Sequence, residues 1–593
     1  MKITSDTHLL TVDRHARVTA GPGAGKTYWL VGHIKNVLRR SKKLHINAKV
    51  AVISYTNVAA DQLREQLGTD AARADVTTIH SFLYRHIVRP YVHLLRTSNG
   101  NQLVNVTLLD GHDEHHINYQ HFRAWLTSRN LQQLLMKFQK KQCAMLQEHI
   151  AGVHWQQTTT LEHWQLALRA DYGLSQRTKV QLTPDSLLAY KQQYWSEGRI
   201  DHDDVLYFAF RILTEHPLLR DCLSARFRFV FVDEFQDTVP AQTQIVRWLA
   251  EAGSTVVVIG DAEQSIFEFA GAAPKHFREF TLPELDEYEI VHNRRSTQAI
   301  IALLNHIRTD GLAQSCYREV TGAPVQLLVG TPLKVANYTR TISEGCSLLL
   351  LSRNQRIVDE LLANEDTPTD DPWSAIRNAP ARRGNFLQSV CASVTLARAG
   401  RLDMSMKTLH QGIRHENGML KDPFRSVAKY SALHRRAIAV TILEALLGQG
   451  STLDALTVRA AYDHLSERLG AQFSDLSLTK ITSGEFAAMA NQLTMGRLLG
   501  SVALDNTNEI REIRTIHKAK GTESDNVLVC LHAKRDDRLQ HLISPQAPSN
   551  EEQRLTYVAL SRARDMLFLA VPELTPEDEN TARNLGMSVV RLS

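Results

Sequence analysis

The chain has 593 residues, of which 43% are hydrophobic and 22% charged, and its formal net charge is +5. This length exceeds what a single hydrophobic core supports, and the composition excludes a disordered chain, so we expect several folded domains. No apolar run is long enough for a membrane span or a secretory signal, and the six cysteines form no CxxC pair. These features favour a reduced, cytoplasmic protein without a zinc centre or membrane contact.

Short apolar runs rich in β-branched residues recur along the chain, and helix-like patterns follow them. Such runs predict parallel strands buried inside α/β sheets. Residues 87–204 and 361–504 lack these runs and are predicted to form mostly helical insertions. The predicted strands are Val50–Ile53, Phe229–Val232, Val256–Ile259, Leu348–Leu351 and Val527–Leu531.

The first motif with an evident chemistry follows the GxxxxGK[ST] pattern of phosphate-binding loops, with alanine in place of the first glycine. Backbone N–H groups of such a loop cradle phosphates, and the N-terminus of the next helix favours anions. Lys26 is predicted to reach the β and γ phosphates of ATP, and Thr27 to hold Mg²⁺. The loop consists of Ala20, Gly21, Pro22, Gly23, Ala24, Gly25, Lys26 and Thr27.

A second motif, Phe229-Val-Phe-Val-Asp-Glu-Phe-Gln-Asp237, is predicted to be a buried strand that ends in two carboxylates. The carboxyl end of a parallel strand is where α/β sheets bind ligands. Asp233 is therefore predicted to be a Mg²⁺ ligand, and Glu234 to accept a proton from the attacking water.

Further motifs follow in a fixed order, and together with the first two they resemble the UvrD/Rep-like superfamily 1A helicases over nearly the whole chain. The segments similar to motifs Ia, Ib, III, IV, V and VI of that family are 52–60, 77–82, 260–271, 293–296, 515–523 and 557–563. The resemblance implies two RecA-like P-loop NTPase cores with parallel sheets, each carrying a mostly helical insertion. It places the first core at residues 1–86 and 205–280 and the second at 281–360 and 505–593.

The resemblance also implies roles for single residues of the ATP site. Gln264 is expected to sense the γ phosphate, and Arg295 and Arg562 to reach that phosphate from the second core. Glu523 is expected to bind the ribose. An arginine supplied across a cleft stabilises charge on the transferring group and makes hydrolysis depend on domain closure.

A single-strand motor needs aromatic side chains on which bases stack without sequence preference. Phe267 and Phe269 are spaced i and i+2, and the resemblance places both under the bases. The other residues expected to line the DNA track are Thr56, Asn57, His80, Phe82 and His517.

The sequence departs from the family pattern around the base of the nucleotide. No glutamine occurs among residues 1–26, where relatives carry one that reads adenine, and Arg294 stands where the family has a tyrosine that stacks on the base. A guanidinium can also stack on a purine. We therefore expect ATP binding with a looser preference for adenine. Ala270, Thr522 and Ser524 are further departures, along the expected DNA path.

The resemblance implies an ATP-dependent DNA helicase or translocase that moves 3′ to 5′ on single-stranded DNA and engages single/double-strand junctions. A second hypothesis is a DNA-sensing ATPase subunit of a Gabija-type antiviral system, acting with a separate nuclease. A third is a translocase that strips proteins from single strands. Unwinding of duplex DNA by the isolated chain would separate the first hypothesis from the second.

Overall fold

A computed structural model describes most of the chain, in several ranges. A helix that could cross a bilayer, long and apolar throughout, is not found within them. The described ranges are residues 1–45, 48–97, 99–109, 111–112, 119–128, 146, 150, 152–157, 163–168, 183–268, 271–363, 373, 381–413, 420, 423–425, 432–482, 485–500, 513–531 and 538–592.

The first core is built on a seven-stranded sheet whose paired strands all run parallel. The central strands are buried along their whole length, because helices cover both faces of the sheet. In spatial order the strands are Lys2–Ile3, Asp286–Ile290, Ala16–Ala20, Thr255–Gly260, Phe229–Val232, Val50–Ser54 and Ala74–Thr78.

Helices and single turns connect these strands, and several begin directly after a strand at the carboxyl edge of the sheet. The α-helices are Lys26–Arg40, Asn57–Leu67, Ile79–Leu83, Arg89–Tyr91, His202–Glu215, Leu218–Arg226, Pro240–Glu251 and Pro274–Arg278. A π-helical turn spans Tyr84–Val88, and the 3₁₀ turns are Gly68–Arg73, Val92–Leu94, Phe235–Asp237 and Ala262–Gln264.

The first insertion is described only in part, through helices Tyr119–Ser128 and Pro184–Ser196 and an antiparallel pair of strands, Val153–Gln157 and Trp164–Leu168. A buried ion pair fixes it to the first core, because Lys191 lies 3.1 Å from an Asp204 carboxylate oxygen on the following helix. The strand pair was not expected. The first of these strands is mostly polar and the second mixes tryptophan and glutamine with leucine and alanine, so neither contains the β-branched run that identified the other strands.

The second core contains a six-stranded parallel sheet, in the spatial order Ile513–Thr515, Leu348–Ser352, Ser524–Cys530, Ala563–Val571, Gln326–Val329 and Ser588–Arg591. A short parallel pair, His292–Asn293 and Ser315–Cys316, lies beside it. The helices of this core are Gln298–Ile307, Pro332–Ile342, Gln355–Ala363, the 3₁₀ turn His517–Ala519, Arg538–Ile543, Glu551–Leu560 and Pro576–Asn584.

The second insertion is mostly helical within the described residues, as predicted, and encloses a hydrophobic cluster of its own. A minimal antiparallel pair, Phe424–Arg425 and Ser477–Leu478, accompanies the helices. The helices are Ala381–Arg398, Leu402–Ile413, Ala432–Leu447, the 3₁₀ turn Gly450–Ala455, Val458–Gln472, Glu485–Gln492 and Met495–Gly500.

All five predicted strands are present, and two parallel α/β cores are confirmed. The expected boundary between the cores at residue 280 is too early. Asp286–Ile290 pairs with Ala16–Ala20 inside the first sheet, so the first core extends to Ile290. This strand was missed because its charged residues, Asp-Glu-Tyr-Glu-Ile, do not form an apolar run.

Candidate active site and nucleic-acid interface

The phosphate loop connects the strand Ala16–Ala20 to the helix Lys26–Arg40. Gly25 caps this helix in the left-handed region, at φ 79° and ψ 33°, a conformation that glycine adopts without strain. Lys26 and Thr27 therefore stand on the first turn of the helix, where backbone N–H groups have no partner inside the helix. The loop is built as its sequence pattern predicts.

Three charged groups meet at the carboxyl edge of the first sheet. The Lys26 ammonium is buried and lies 3.5 Å from a Glu234 carboxylate oxygen, and it has no hydrogen-bond acceptor among the described residues. Burial opposes ionisation of Glu234, but Lys26 and Lys520 outweigh it and lower its pKa to about 2. Burial and the charge of Glu234 raise the pKa of Asp233 to about 7. A cation beside Asp233 would stabilise its ionised carboxylate against burial and against the charge of Glu234.

Backbone strain accompanies the second carboxylate. Glu234 has φ 52° and ψ 43°, the left-handed region, which costs a residue with a side chain about 1 kcal/mol or more. The Gln236 amide holds the turn, since its Nε2 donates to Glu234 and its Oε1 accepts from the Asp261 N–H at 3.0 Å. The strained turn directs Glu234 towards Lys26.

The second core contacts the phosphate loop directly. The Arg294 N–H donates to the Gly23 carbonyl at 2.8 Å, and the Gln314 amide donates to the Pro22 carbonyl at 3.2 Å. A Cβ added at Gly23 would come within 2.5 Å of the Asn293 side-chain oxygen, so only glycine fits there. Gln314 lies outside every family motif, and no sequence signal pointed to it.

Arg562 reaches the first core through Gln264. Its guanidinium lies 3.3 Å from Gln264 Oε1 and donates also to Ser561 and to the Val558 and Thr522 carbonyls. Burial and the neighbouring charge of Arg295 lower the pKa of Arg562 below its ordinary value. A buried cation in this position gains from an incoming anion. The structure thus brings together two of the predicted phosphate-contacting residues.

The other predicted arginine is paired within its own core. Arg295 Nε donates to Glu523 at 2.6 Å, and its NH1 donates to the Ser561 carbonyl at 2.9 Å. Glu523, predicted to bind the ribose, is about half exposed, with 53% of its side chain accessible. Arg295 and Glu523 therefore lie side by side at the edge of the cleft.

Arg294 lies among aromatic rings close to the phosphate loop. Its guanidinium carbon is 3.9 Å from the centre of the Tyr317 ring and 5.9 Å from that of Tyr28, and it forms an ion pair with Asp6. Tyr28 and Tyr317 are both exposed. A guanidinium stacked between aromatic rings presents flat surfaces suited to a nucleobase.

Lys520 and Asp237 were not predicted as site residues, although both lie within recognised motifs. The Lys520 ammonium is 2.5 Å from an Asp237 carboxylate oxygen and donates to the Gln264 carbonyl at 2.8 Å. Asp237 is buried in the first core, and this burial raises its pKa to about 6 even though Lys520 opposes the shift. The pair connects motif V of one core to motifs II and III of the other.

An aromatic cluster lies at the seam between the cores. Phe267 stacks on Tyr55, with ring centres 4.9 Å apart, and its ring centre is 6.3 Å from that of His517. The Lys520 ammonium lies 5.0 Å from the centre of the Phe267 ring. Tyr55 was not predicted, although it precedes Thr56 directly. Two predicted DNA-track residues, Phe267 and His517, are therefore brought together.

The remaining predicted track residues divide into two groups. Thr56 and Asn57 are exposed at the start of the helix Asn57–Leu67, and Thr56 caps it by accepting from the Ala59 N–H at 3.1 Å. His80 is half-buried against the ring of His202. Phe269 and Ala270 lie outside the described residues.

Phe82 requires a correction. It is 1% exposed and packs against Phe227 and His86 inside the first core. A base therefore cannot stack on Phe82 without unpacking the domain. The local sequence does not distinguish a core aromatic from a stacking aromatic at this position, because the burial of Phe82 depends on contact with Phe227, which is distant in sequence.

Comparison with known proteins agrees with the helicase motifs that surround this site. Residues 4–283 match the UvrD/REP helicase N-terminal domain, and residues 464–573 match the UvrD-like helicase C-terminal domain. The chain belongs to the UvrD/REP helicase family. As a member of that family it is an ATP-hydrolysing helicase.

Three relatives cover most of this member's length. It is 22% identical to Gabija protein GajB of Bacillus cereus (strain HuB5-5), with 96% of this chain and 94% of that relative aligned. It is 22% identical to ATP-dependent DNA helicase PcrA of Bacillus subtilis (strain 168), over 94% of this chain and 81% of PcrA. It is also 22% identical to ATP-dependent DNA helicase srs2 of Schizosaccharomyces pombe (strain 972 / ATCC 24843), over 94% of this chain and 70% of srs2.

Proposed function

We propose that this family member is a motor on single-stranded DNA that moves 3′ to 5′ by ATP-driven closure of its two cores, and that it engages single/double-strand junctions. One observation carries the proposal. The segment 261–268 contacts Arg562 through Gln264 at one end and Tyr55 through Phe267 at the other. A structural change at the γ phosphate can therefore be transmitted from Gln264 to Phe267, over a segment of four residues, and so reach the aromatic cluster.

The ATP site supports hydrolysis with a division of tasks. Lys26 binds the β and γ phosphates, Glu234 accepts the proton of the attacking water, and Arg562 stabilises charge on the transferring group. Thr27 and Asp233 are the residues that would hold Mg²⁺, an ion that neutralises charge on the phosphate oxygens when bound. The raised pKa of Asp233 beside Glu234 fits a carboxylate built to face a cation.

Replacement of Phe267 by alanine tests the proposed path. Removing one stacking ring should weaken single-strand binding by about 1 to 3 kcal/mol, while basal ATPase persists because the phosphate loop is untouched. The salt dependence of binding should hardly change, since stacking releases no counterions. Half-maximal stimulation of ATPase should require more DNA.

Tyr338→Ala is the matched control, because Tyr338 is, like Phe267, a partly buried aromatic residue but packs against a different hydrophobic cluster. Normal DNA binding by folded Phe267→Ala protein would place the DNA track elsewhere.

The polarity of movement is tested separately, by comparing unwinding of duplexes that carry a 3′ or a 5′ single-stranded tail. Preference for the 5′ tail would overturn the proposed direction.

A second candidate function is a DNA-sensing ATPase of an antiviral complex with a separate nuclease. The alignment favours it specifically, because it covers 94% of GajB but only 81% of PcrA and 70% of srs2. The similarity thus extends over a larger share of GajB than of either helicase. DNA-stimulated ATPase without duplex unwinding by the isolated chain would favour this candidate over the first.

A further inference from the structure

A buried arginine outside the family motifs joins the two cores behind the ATP site. Arg308 follows the helix Gln298–Ile307 of the second core, and only 1% of its side chain is exposed. It makes two parallel bonds to Asp261 of the first core, from NH1 to Oδ2 at 3.0 Å and from NH2 to Oδ1 at 2.9 Å. Asp261 is fully buried.

All five N–H groups of Arg308 have acceptors. Besides the two bonds to Asp261, Nε and NH2 donate to Asp310 at 2.9 and 2.6 Å, and NH1 donates to the Tyr557 hydroxyl at 2.7 Å. A guanidinium with every donor used has one orientation, and lysine could not reproduce this planar fork. Arg308 is therefore a rigid support for Asp261.

Asp261 in turn fixes the orientation of Gln264. The Gln264 Nε2 group donates to Asp261 Oδ2 at 2.7 Å, which leaves Gln264 Oε1 facing Arg562 at 3.3 Å. An amide that lost this donor contact could rotate and present its NH₂ group to the arginine instead. The sequence of contacts thus runs from Arg308 through Asp261 and Gln264 to Arg562, leaving the second core and returning to it.

We propose that Arg308 is a positioning residue for ATP hydrolysis, which holds the amide of Gln264 towards Arg562 only while the two cores are together. The inference rests on the proposed phosphate-contacting roles of Gln264 and Arg562. Arg308 touches neither ATP nor DNA in this scheme. Arg308 acts through Asp261. Because this contact joins the two cores, ATP hydrolysis depends on the cores being in contact.

The chain offers a matched control for this ion pair. Arg278 is 2.6 Å from a Glu263 carboxylate oxygen, so it neutralises a second buried acid two residues from Asp261. Both members of that pair belong to the first core. Loss of Arg278 therefore removes an arginine–carboxylate contact from the same segment without separating Gln264 from the second core.

The experiment measures kcat and KM for ATP, with saturating single-stranded DNA, in the full chain and its Arg308→Gln, Arg308→Lys and Arg278→Gln variants. Arg308→Gln should lower kcat about 10- to 100-fold, by analogy with the loss of residues that orient the ligands of a metal ion. KM should change by less than about 3-fold, because groups that bind ground-state nucleotide remain. Arg308→Lys should recover part of kcat, and Arg278→Gln should keep it.

Wild-type kcat in Arg308→Gln, or an equal loss in Arg278→Gln, would overturn the inference. If Arg308→Gln does not fold, Arg308→Lys decides, since it keeps the charge and lacks the fork; wild-type kcat in that variant refutes the positioning role. Lys26→Ala separates the two levels of proposal. ATPase that survives Lys26→Ala defeats the proposed function, whereas ATPase lost in Lys26→Ala but intact in Arg308→Gln defeats only this inference.

Discussion

Lys26 and Glu234 are 3.5 Å apart, yet their replacement should have different consequences. Lys26→Ala should abolish both nucleotide binding and hydrolysis, because the charge on the β and γ phosphates is lost. Glu234→Gln should retain ATP while hydrolysis slows about 10²- to 10⁴-fold, the usual contribution of a general base. Equilibrium binding of a fluorescent ATP analogue and single-turnover hydrolysis measure the two effects.

Lys35→Ala serves as the control for Lys26, since Lys35 lies on the same helix and its ammonium donates to the Gln66 carbonyl, away from the phosphate loop. Weak nucleotide binding by Glu234→Gln would contradict the assignment of Glu234 as base. It would show instead that this carboxylate organises the loop.

Nucleotide preference is a second property set by single residues. Arg294 stacks on Tyr317, and the first 26 residues contain no glutamine to read adenine. A stacking site without a hydrogen-bonded base edge discriminates poorly among bases, so kcat/KM for GTP and CTP should lie within about 100-fold of that for ATP, or about 2.7 kcal/mol. Steady-state rates with the three nucleotides measure it. A larger preference for ATP would mean that an unassigned residue reads adenine.

Single residues also show where sequence reasoning reaches its limit. Lys26, Asp233, Gln264 and Arg562 were predicted from motifs, and the structure gathers them at one cleft. Tyr55 was missed because its role depends on a ring from a distant segment. Arg308, Gln314 and the burial of Phe82 were out of reach for the same reason, since contacts between distant segments are not encoded in local spacing.

Among the elements, the helix Lys26–Arg40 carries a buried imidazole. His33 stacks on Trp29 with ring centres 5.0 Å apart and meets the edge of Phe231. Burial, helped by the nearby His8, lowers the pKa of His33 from 6.5 to about 4. As the pH falls, His33 therefore becomes protonated in the unfolded chain at a higher pH than in the folded protein.

The consequence is a loss of stability in acid. Above about pH 6.5, His33 does not affect how the free energy of unfolding depends on pH. As the pH falls from about 6.5 to 4, His33 should lower the free energy of unfolding by up to about 3 kcal/mol. His33→Phe should flatten this part of the profile, and the exposed control His45→Gln should not. Urea unfolding of the full chain, followed from pH 7.5 to 5, measures the difference. Identical slopes in wild type and His33→Phe would show that His33 is not the responsible group.

The elements were predicted more completely than the site. Buried parallel strands such as Leu348–Ser352 consist of apolar residues throughout, so their composition alone identifies them. Asp286–Ile290 lies next to the outermost strand of its sheet and carries charged residues, and the strands of the first insertion contain no run of β-branched residues. Their pairing depends on neighbouring strands, which a local pattern does not show.

In the whole molecule, several of the polar contacts described above cross from one core to the other. Arg308 with Asp261, Lys520 with Asp237, and Arg562 with Gln264 each join one core to the other. The relative position of the cores should therefore change as the nucleotide binds and is hydrolysed, because these contacts lie next to residues proposed to bind its γ phosphate.

Two of the cysteines that the structure describes are exposed and can report this motion. Cys222 lies on the helix Leu218–Arg226 of the first core, and Cys346 precedes the strand Leu348–Ser352 of the second. Cys391 and Cys530 are buried. Replacing Cys143 and Cys316 by serine leaves the first two for labelling with a donor and an acceptor dye. Energy transfer between them then follows the separation of the cores.

In Glu234→Gln protein labelled in this way, ATP should shift the transfer efficiency to a new value that persists, because the nucleotide binds but is hydrolysed slowly. The parent protein should show the same shift transiently and return as ATP is consumed. Lys26→Ala should show no shift at any ATP concentration that saturates the parent. An efficiency that stays constant in Glu234→Gln while ATP is demonstrably bound would mean that the cores do not move with the nucleotide, and closure would have to be abandoned as the source of movement along DNA.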